Sequence, residues 1–192
     1  MRSDGDNSMT RKPKIRFMPA SAITAVVIFF VLITLVKEGA TMSELKLSST
    51  AFQNNGSIPS RYTCDGRDIN PPLAIENVPP GTKSLALIVD DPDAPMGTWV
   101  HWVSWNIAPG IKEIKENDTP GGSVSGLNDF KRQSYGGPCP PSGTHRYFFK
   151  LYALDTALDL PSGAKKADVE KAMKGHVISE AQIIGLYKRS RQ

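Results

Sequence analysis

Cysteine is scarce in this chain, with two in 192 residues, and the spacings that mark cysteine or histidine metal sites are absent: there is no CxxC and no HExxH. A zinc centre needs three or four ligands converging at fixed distances, so no metal is expected. GxSxG, the P-loop and the glycine-rich dinucleotide fingerprint are missing as well, and with them the motif-level case for a hydrolase, a nucleotidase or a nicotinamide enzyme. No cofactor is implied and the expectation is a protein that is not an enzyme. Basic charge is also missing from the folded part. The formal charge is +4, but Arg2, Arg11, Lys12, Lys14, Arg16 and Lys37, set against Asp4 and Asp6, already account for that excess. The rest of the chain is left with no net charge and with both signs interspersed. A phosphate-backbone binder concentrates its basic charge in the fold, so nucleic acid is excluded as a partner.

Between Arg16 and Lys37 lie 20 uncharged residues, Phe17 to Val36, mostly Ala, Val, Ile, Leu and Phe. That length matches the ~20 residues a helix needs to cross a bilayer core. The apolar run is longer than a cleavable signal requires, and Glu38-Gly39-Ala40 lacks the small residue that a cleavage site needs at its first position. The segment is therefore read as an uncleaved anchor. Basic residues before it place the N-terminus in the cytoplasm and the body outside, in a single-pass arrangement; secretion or periplasmic release after cleavage is the alternative. The domains read as a basic N-terminus over 1–16, a transmembrane helix over 17–36, a linker over 37–44 and one domain over 45–192, a size that suits a single core.

In the body, Gly, Pro, Asn and Asp clusters separate apolar runs of strand length. Ser84 to Asp90 (SLALIVD) is a continuous apolar run, while Trp99 to Ile107 and Thr144 to Asp155 (THRYFFKLYALD) alternate between two faces. Short strands joined by turn-rich loops predict a mainly β fold, an antiparallel β-sandwich with a few peripheral helices. One helix is predicted over Lys166 to Gly175, with Val169, Ala172 and Met173 on one face and Gly175 as its stop. The alternation of Ile183, Gly185 and Tyr187 predicts a last strand over Ala181 to Arg189.

Two segments concentrate turn formers and functional side chains: Asp90-Asp91-Pro92-Asp93-Ala94-Pro95, followed by His101-Trp102, and Tyr135-Gly136-Gly137-Pro138-Cys139-Pro140-Pro141-Ser142-Gly143-Thr144-His145-Arg146-Tyr147. Both lie at strand ends, where loops on a rigid sheet commonly hold binding residues. His145 and Tyr147 are two apart on a strand and share a face, while Arg146 points to the other and is read as a structural salt bridge. Pro92 and Pro95 restrict the backbone around Asp91 and Asp93. The Gly136 and Gly137 N–H groups are candidates for an anion-binding concavity. Imidazoles, a phenol and backbone N–H suit a phosphate, and the carboxylates suit an amine. The tryptophans and Phe148 and Phe149 are assigned to the core, with Trp102 as the one aromatic that could wall a pocket. His176 has no such company and reads as a helix-end residue.

DPDAP followed by HW, then GGPCPPSGTHRYFF, with CDG at Cys64 to Gly66, NPPL at Asn70 to Leu73 and KAMKGHV near the C-terminus, resembles the phosphatidylethanolamine-binding protein family, specifically its prokaryotic Raf-kinase-inhibitor-like (YbhB/YbcL-type) branch. The resemblance runs from about Leu45 to Arg189. It implies an antiparallel β-sandwich with a small surface pocket for phosphate-type or phospholipid head-group ligands, lined by Asp91, Asp93, His101, Pro138, His145 and Tyr147. It also brings the CDG and GPCPP loops near that pocket, so that Cys64 and Cys139 are expected to form a disulfide in an oxidising compartment, with two buried thiols as the alternative. A protein target, met through protease or kinase inhibition, is the alternative partner. A weak hydrolase using Cys139 or a histidine-activated water is the alternative chemistry.

Overall fold

The computed structural model describes residues 44–189. The elements are β1 (Lys46–Ser48), β2 (Gly56–Ser57), β3 (Leu73–Glu76), β4 (Ser84–Asp91), β5 (Trp99–Ile107), β6 (Glu113–Ile114), β7 (Val124–Ser125), β8 (His145–Leu154), α1 (Lys166–Met173) and β9 (Val177–Tyr187), with one 3₁₀ turn over Ser60–Tyr62. They form a six-stranded sheet ordered β2-β9-β8-β4-β5-β7 and a three-stranded sheet ordered β1-β3-β6. Every pairing is antiparallel except that of β2 with β9, which is parallel. The mainly β expectation holds.

One element of the expected architecture is corrected. The spanning helix read over residues 17–36 is not supported: that segment lies outside the described residues, and among the described residues no helix is long and apolar enough to cross a membrane.

The sheet order explains the sequence pattern. β4 sits in the middle of the large sheet, between β5 and β8, and all eight of its residues are buried. Leu85, Leu87 and Val89, with Phe149 and Leu151 of β8, face the small sheet and join Leu47, Leu73, Ile75 and Ile114 in one cluster. Ala86 and Ile88 face the other way and join Val103, Trp105, Val169 and Met173. A strand covered on both faces has no polar side to show, hence the unbroken SLALIVD run. Both layers exclude water, each large side chain contributing about 1.5–3 kcal/mol on burial. α1 caps the second layer and ends where Gly175 takes φ +83°, a conformation that glycine adopts without a Cβ clash.

Asp90, at the end of β4, enters this second layer as a fully buried carboxylate and is ion-paired with Lys150 of β8 and Lys166 of α1. Its neighbour Asp91 points to the opposite face. The adjacent aspartates are thereby divided, one to a structural ion cluster and one to the loop end of the sheet.

Candidate functional site

The C-terminal end of β4 and the N-terminal ends of β5 and β8 meet at one edge of the large sheet, since Asp91 pairs in register with Trp99 and Asp90 with Phe148. The 92–98 turn and the long 126–144 connection close over this edge. Between them lies a cavity of about 240 Å³. Asp91, His101 and His145 form its polar side, and Ala94, Pro95, Trp99, Phe130, Cys139, Pro140 and Pro141 complete the wall. Among the described residues no lysine or arginine lines it.

Asp91 and His145 are both buried and bonded, with Nδ1 of the imidazole 2.7 Å from Oδ2 of the carboxylate. A carboxylate only accepts, so Nδ1 carries a proton and Nε2 is the free position. Asp91 also accepts the Asp93 backbone N–H at 2.8 Å, which holds the start of the DPDAP turn. His101 is fixed by a different kind of partner. Its Nδ1 donates to the Gly136 carbonyl at 2.6 Å, and the Gly136 N–H returns a bond to the His101 carbonyl at 2.9 Å. Phe130 and Tyr147 meet the ring edge-on, at 5.3 and 5.1 Å between centroids. Burial pushes the His101 pKa below its ordinary value, against the opposite pull of the Gly136 and Gly137 backbone and of Asp91 and Asp90.

The other three site residues expected from sequence fall outside the lining. Asp93 turns outward to Arg146, accepting from its guanidinium at 2.7 and 2.9 Å and from its backbone N–H at 2.9 Å. Those hydrogen bonds hold the carboxyl at about 2. Asp93 is thus the partner in the salt bridge expected of Arg146, not a cavity wall. Pro138 contributes its carbonyl to the Cys64 N–H at 3.1 Å. Tyr147 shares the inward face with His145, as strand parity requires, but lies behind the His101 ring. Its hydroxyl is buried without a hydrogen-bond partner among the described residues. The Cys139 backbone N–H faces the oxygen outside bonding geometry, and burial drives the phenol pKa strongly upward.

The glycine pair is corrected as well. Gly136 N–H is spent on His101, and Gly137 N–H on Asp68 at 2.6 Å. Neither is free for an anion. Their role is steric: a Cβ on Gly137 would sit 2.6 Å from the Tyr62 carbonyl, and one on Gly136 would sit 2.5 Å from the Phe130 ring. Cys64 and Cys139 form a disulfide with Cα atoms 5.4 Å apart, inside the range a bond allows. It ties the CDG loop to the proline-rich wall.

Several contributors had no sequence signal that singled them out. Trp99, assigned to the core, is partly exposed at the cavity edge, and Phe130 meets it edge-to-face at 5.4 Å between centroids, whereas Trp102 packs in the interior against Tyr135. Asn128 is buried and organises the long connection, donating to the carbonyls of His101 and Ser134 and accepting the Arg132 N–H. Asp68 binds Arg132 and Gly137 together. The Asn128-Asp129 pair was the available clue, since such residues commonly bond neighbouring backbone in turns. Elsewhere, a larger depression of about 540 Å³ is lined by Glu44, Lys46, Lys150, Tyr152, Glu180 and Gln182 among others. Its charges are mixed, and Lys150 is committed to Asp90.

Comparison with known proteins follows the same outline. The family model described as phosphatidylethanolamine-binding protein matches residues 48–188. A UPF0098 protein of Methanothermobacter thermautotrophicus is 57% identical over 150 residues, covering 76% of this chain and 99% of the relative. A second, from Pyrococcus horikoshii, is 53% identical over 159 residues, 79% of this chain and 80% of the relative. Among solved structures, a phosphatidylethanolamine-binding protein homologue from Chlamydia trachomatis superposes with a TM-score of 0.74 at 39% identity, covering 77% of this chain and 99% of the other. YbcL of E. coli, described as a new member of the mammalian PEBP family, gives 0.72 at 31% identity, covering 77% and 100%.

Proposed function

This chain belongs to the phosphatidylethanolamine-binding protein family, in its prokaryotic branch, and we propose that its body is a non-enzymatic binding module whose cavity takes a phosphate-type ligand, a small molecule or a phospholipid head group. The observation that carries this reading is the pair of buried imidazoles, His101 and His145, held by Nδ1 with each Nε2 unpartnered among the described residues at one small cavity. Nitrogens fixed this way present directed hydrogen bonds, and the apolar wall of prolines, Trp99 and Phe130 sets the depth to which a ligand enters. Among the described residues the lining holds no hydroxyl or free thiol that could act as a nucleophile, and Cys139 is spent in the disulfide, which supports binding over covalent catalysis. The same bond supports an oxidising, extracytoplasmic setting for the body.

Thermal denaturation with phosphoethanolamine tests the proposal. At a hundredfold excess over Kd, a one-site ligand stabilises by about 2.7 kcal/mol, or roughly 5–10 °C for a domain of this size. The shift is expected to vanish in His101→Ala and His145→Ala and to persist in His176→Ala. A parent protein that melts at the same temperature with and without millimolar ligand would sink the reading.

A further inference from the structure

The two imidazoles are not equivalent, and the difference specifies the ligand. His145 has a carboxylate behind it. His101 has only a carbonyl. Because the Gly136 oxygen can only accept, the His101 proton sits on Nδ1, and the neutral ring turns the Nε2 lone pair to the cavity. Making that nitrogen a donor requires a second proton on a ring that is 2% exposed and flanked by Phe130 and Tyr147.

The carboxylates around it pull toward a second proton, but each already has a partner of its own. From β4, Asp91 is bonded to His145 and Asp90 to Lys150 and Lys166. From β8, His145 and Tyr147 face the ring, and the 126–144 connection supplies Phe130 and the Gly136 and Gly137 backbone. Burial outweighs the carboxylates and lowers the His101 pKa. Among the described residues the lining supplies no fixed cation, and Asp91 stands directly against His145. A phosphate dianion would therefore meet a lone pair and a carboxylate. A monoanion carrying P–O–H meets an acceptor.

We infer that this cavity selects a terminal phosphate monoester in its protonated, singly charged form, with the P–O–H donating to Nε2 of His101. This rests on the phosphate-binding reading above and narrows it, because a dialkyl phosphodiester has no proton to donate. A water-soluble phosphomonoester and the terminal phosphate of a phosphatidate offer the same chemistry.

The test is calorimetry on the full chain with phosphoethanolamine, glycerophosphoethanolamine and dihexanoyl phosphatidate, together with ³¹P NMR of bound phosphoethanolamine. With a second phosphate pKa of ~6, the monoanion is about 3% of the ligand at pH 7.5 and about 75% at pH 5.5, so apparent affinity should rise roughly 25-fold on acidification. The diester should bind at least tenfold more weakly than phosphoethanolamine at pH 5.5. The bound ³¹P shift at pH 7.5 should be that of a monoanion while free ligand is a dianion. His101→Gln, whose amide can donate, should flatten the pH dependence, and the ³¹P measurement on the parent stands if that variant does not fold. Phosphatidate binding better than phosphoethanolamine would assign the monoester to a lipid, and the reverse to a soluble metabolite; both keep the inference. A dianion-like bound shift, an affinity that falls below pH 6, or equal binding of the diester would overturn it while leaving phosphate binding intact. No heat with any ligand at any pH would remove phosphate binding itself.

Discussion

Reducing the Cys64–Cys139 disulfide is the perturbation whose size follows most directly from the fold. The bond joins positions 75 residues apart in sequence, so in the unfolded chain it closes a loop of that length. In the chain-entropy model such a cross-link is worth about 4.5 kcal/mol at 25 °C, and realised values commonly fall between 2 and 4. Against a typical total of about 5–15 kcal/mol, that is a large share. At about 2–4 °C per kcal/mol for a chain of this size, the melting temperature should drop by roughly 5–15 °C on reduction. The folded site should loosen first. Cys139 stands in the cavity wall, and without the bond that loop is held to the CDG side by hydrogen bonds alone, from the Cys64 N–H to the Pro138 carbonyl, from the Gly137 N–H and Arg132 to Asp68, and from the Tyr135 hydroxyl to the Tyr62 carbonyl. The assay is a calorimetric scan of the parent with and without a phosphine reductant, beside the Cys64→Ser, Cys139→Ser double variant with reductant absent. Reduced parent and double variant should melt together, and both should show a smaller ligand-induced shift than the oxidised parent. A melting temperature that moves by less than about 2 °C, or two titratable thiols in the unreduced denatured protein, would refute the reasoning.

Asp91→Ala removes the acceptor of the buried His145 N–H and should cost about 1.5–3 kcal/mol in urea denaturation; an unchanged midpoint would mean that His145 is held by its packing alone. Arg146→Ala should return Asp93 from about 2 to the ordinary carboxylate range of ~3.9 in an NMR titration. Because the folded pKa is depressed, the stability tied to this group is complete above pH ~4 and is lost as pH falls through about 2, so the parent and the variant should converge in stability at the acid end. Gly185→Ala places a Cβ 2.4 Å from Ile58 Cγ1 and 2.9 Å from Phe52 Cε2, and should cost about 1–3 kcal/mol by overpacking. His176→Ala removes only an exposed pair with Asp155 and should stay within about 0.5 kcal/mol of the parent.

The long central strands were legible because their burial leaves a periodic trace. β4, β5 and β8 follow the apolar runs within a residue or two, and the continuous run proved to be the strand covered on both faces. α1 was marked by its apolar face and its glycine stop. β9 begins four residues before the point read from sequence, because Val177 and Ile178 are exposed and carry no alternation to follow. β2, β6 and β7 have two residues each. A pair of residues cannot show a period, and the parallel pairing of β2 with the distant β9 is a long-range event that no local pattern records.

At the site, legibility ended where a side chain's use depends on its partner. The density of Asp, His and Pro located the cavity, and strand parity turned Arg146 away from it. Parity on β8 also fixed where the Arg146 partner had to be, and Asp93, two residues beyond Asp91 in a proline-held turn, was the carboxylate within reach. Reading both aspartates as cavity walls overlooked that a guanidinium on the outer face would claim one of them. The glycines show the same limit. Their N–H groups could serve an anion only if nothing in the protein needed them, and both are used to lock the 126–144 connection against His101 and Asp68. A histidine's chemistry is decided in the same way, by what sits behind the ring. His145 has the Asp91 carboxylate behind it and His101 the Gly136 carbonyl, a distinction made by the chain contact at Gly136 and invisible in the residue types themselves.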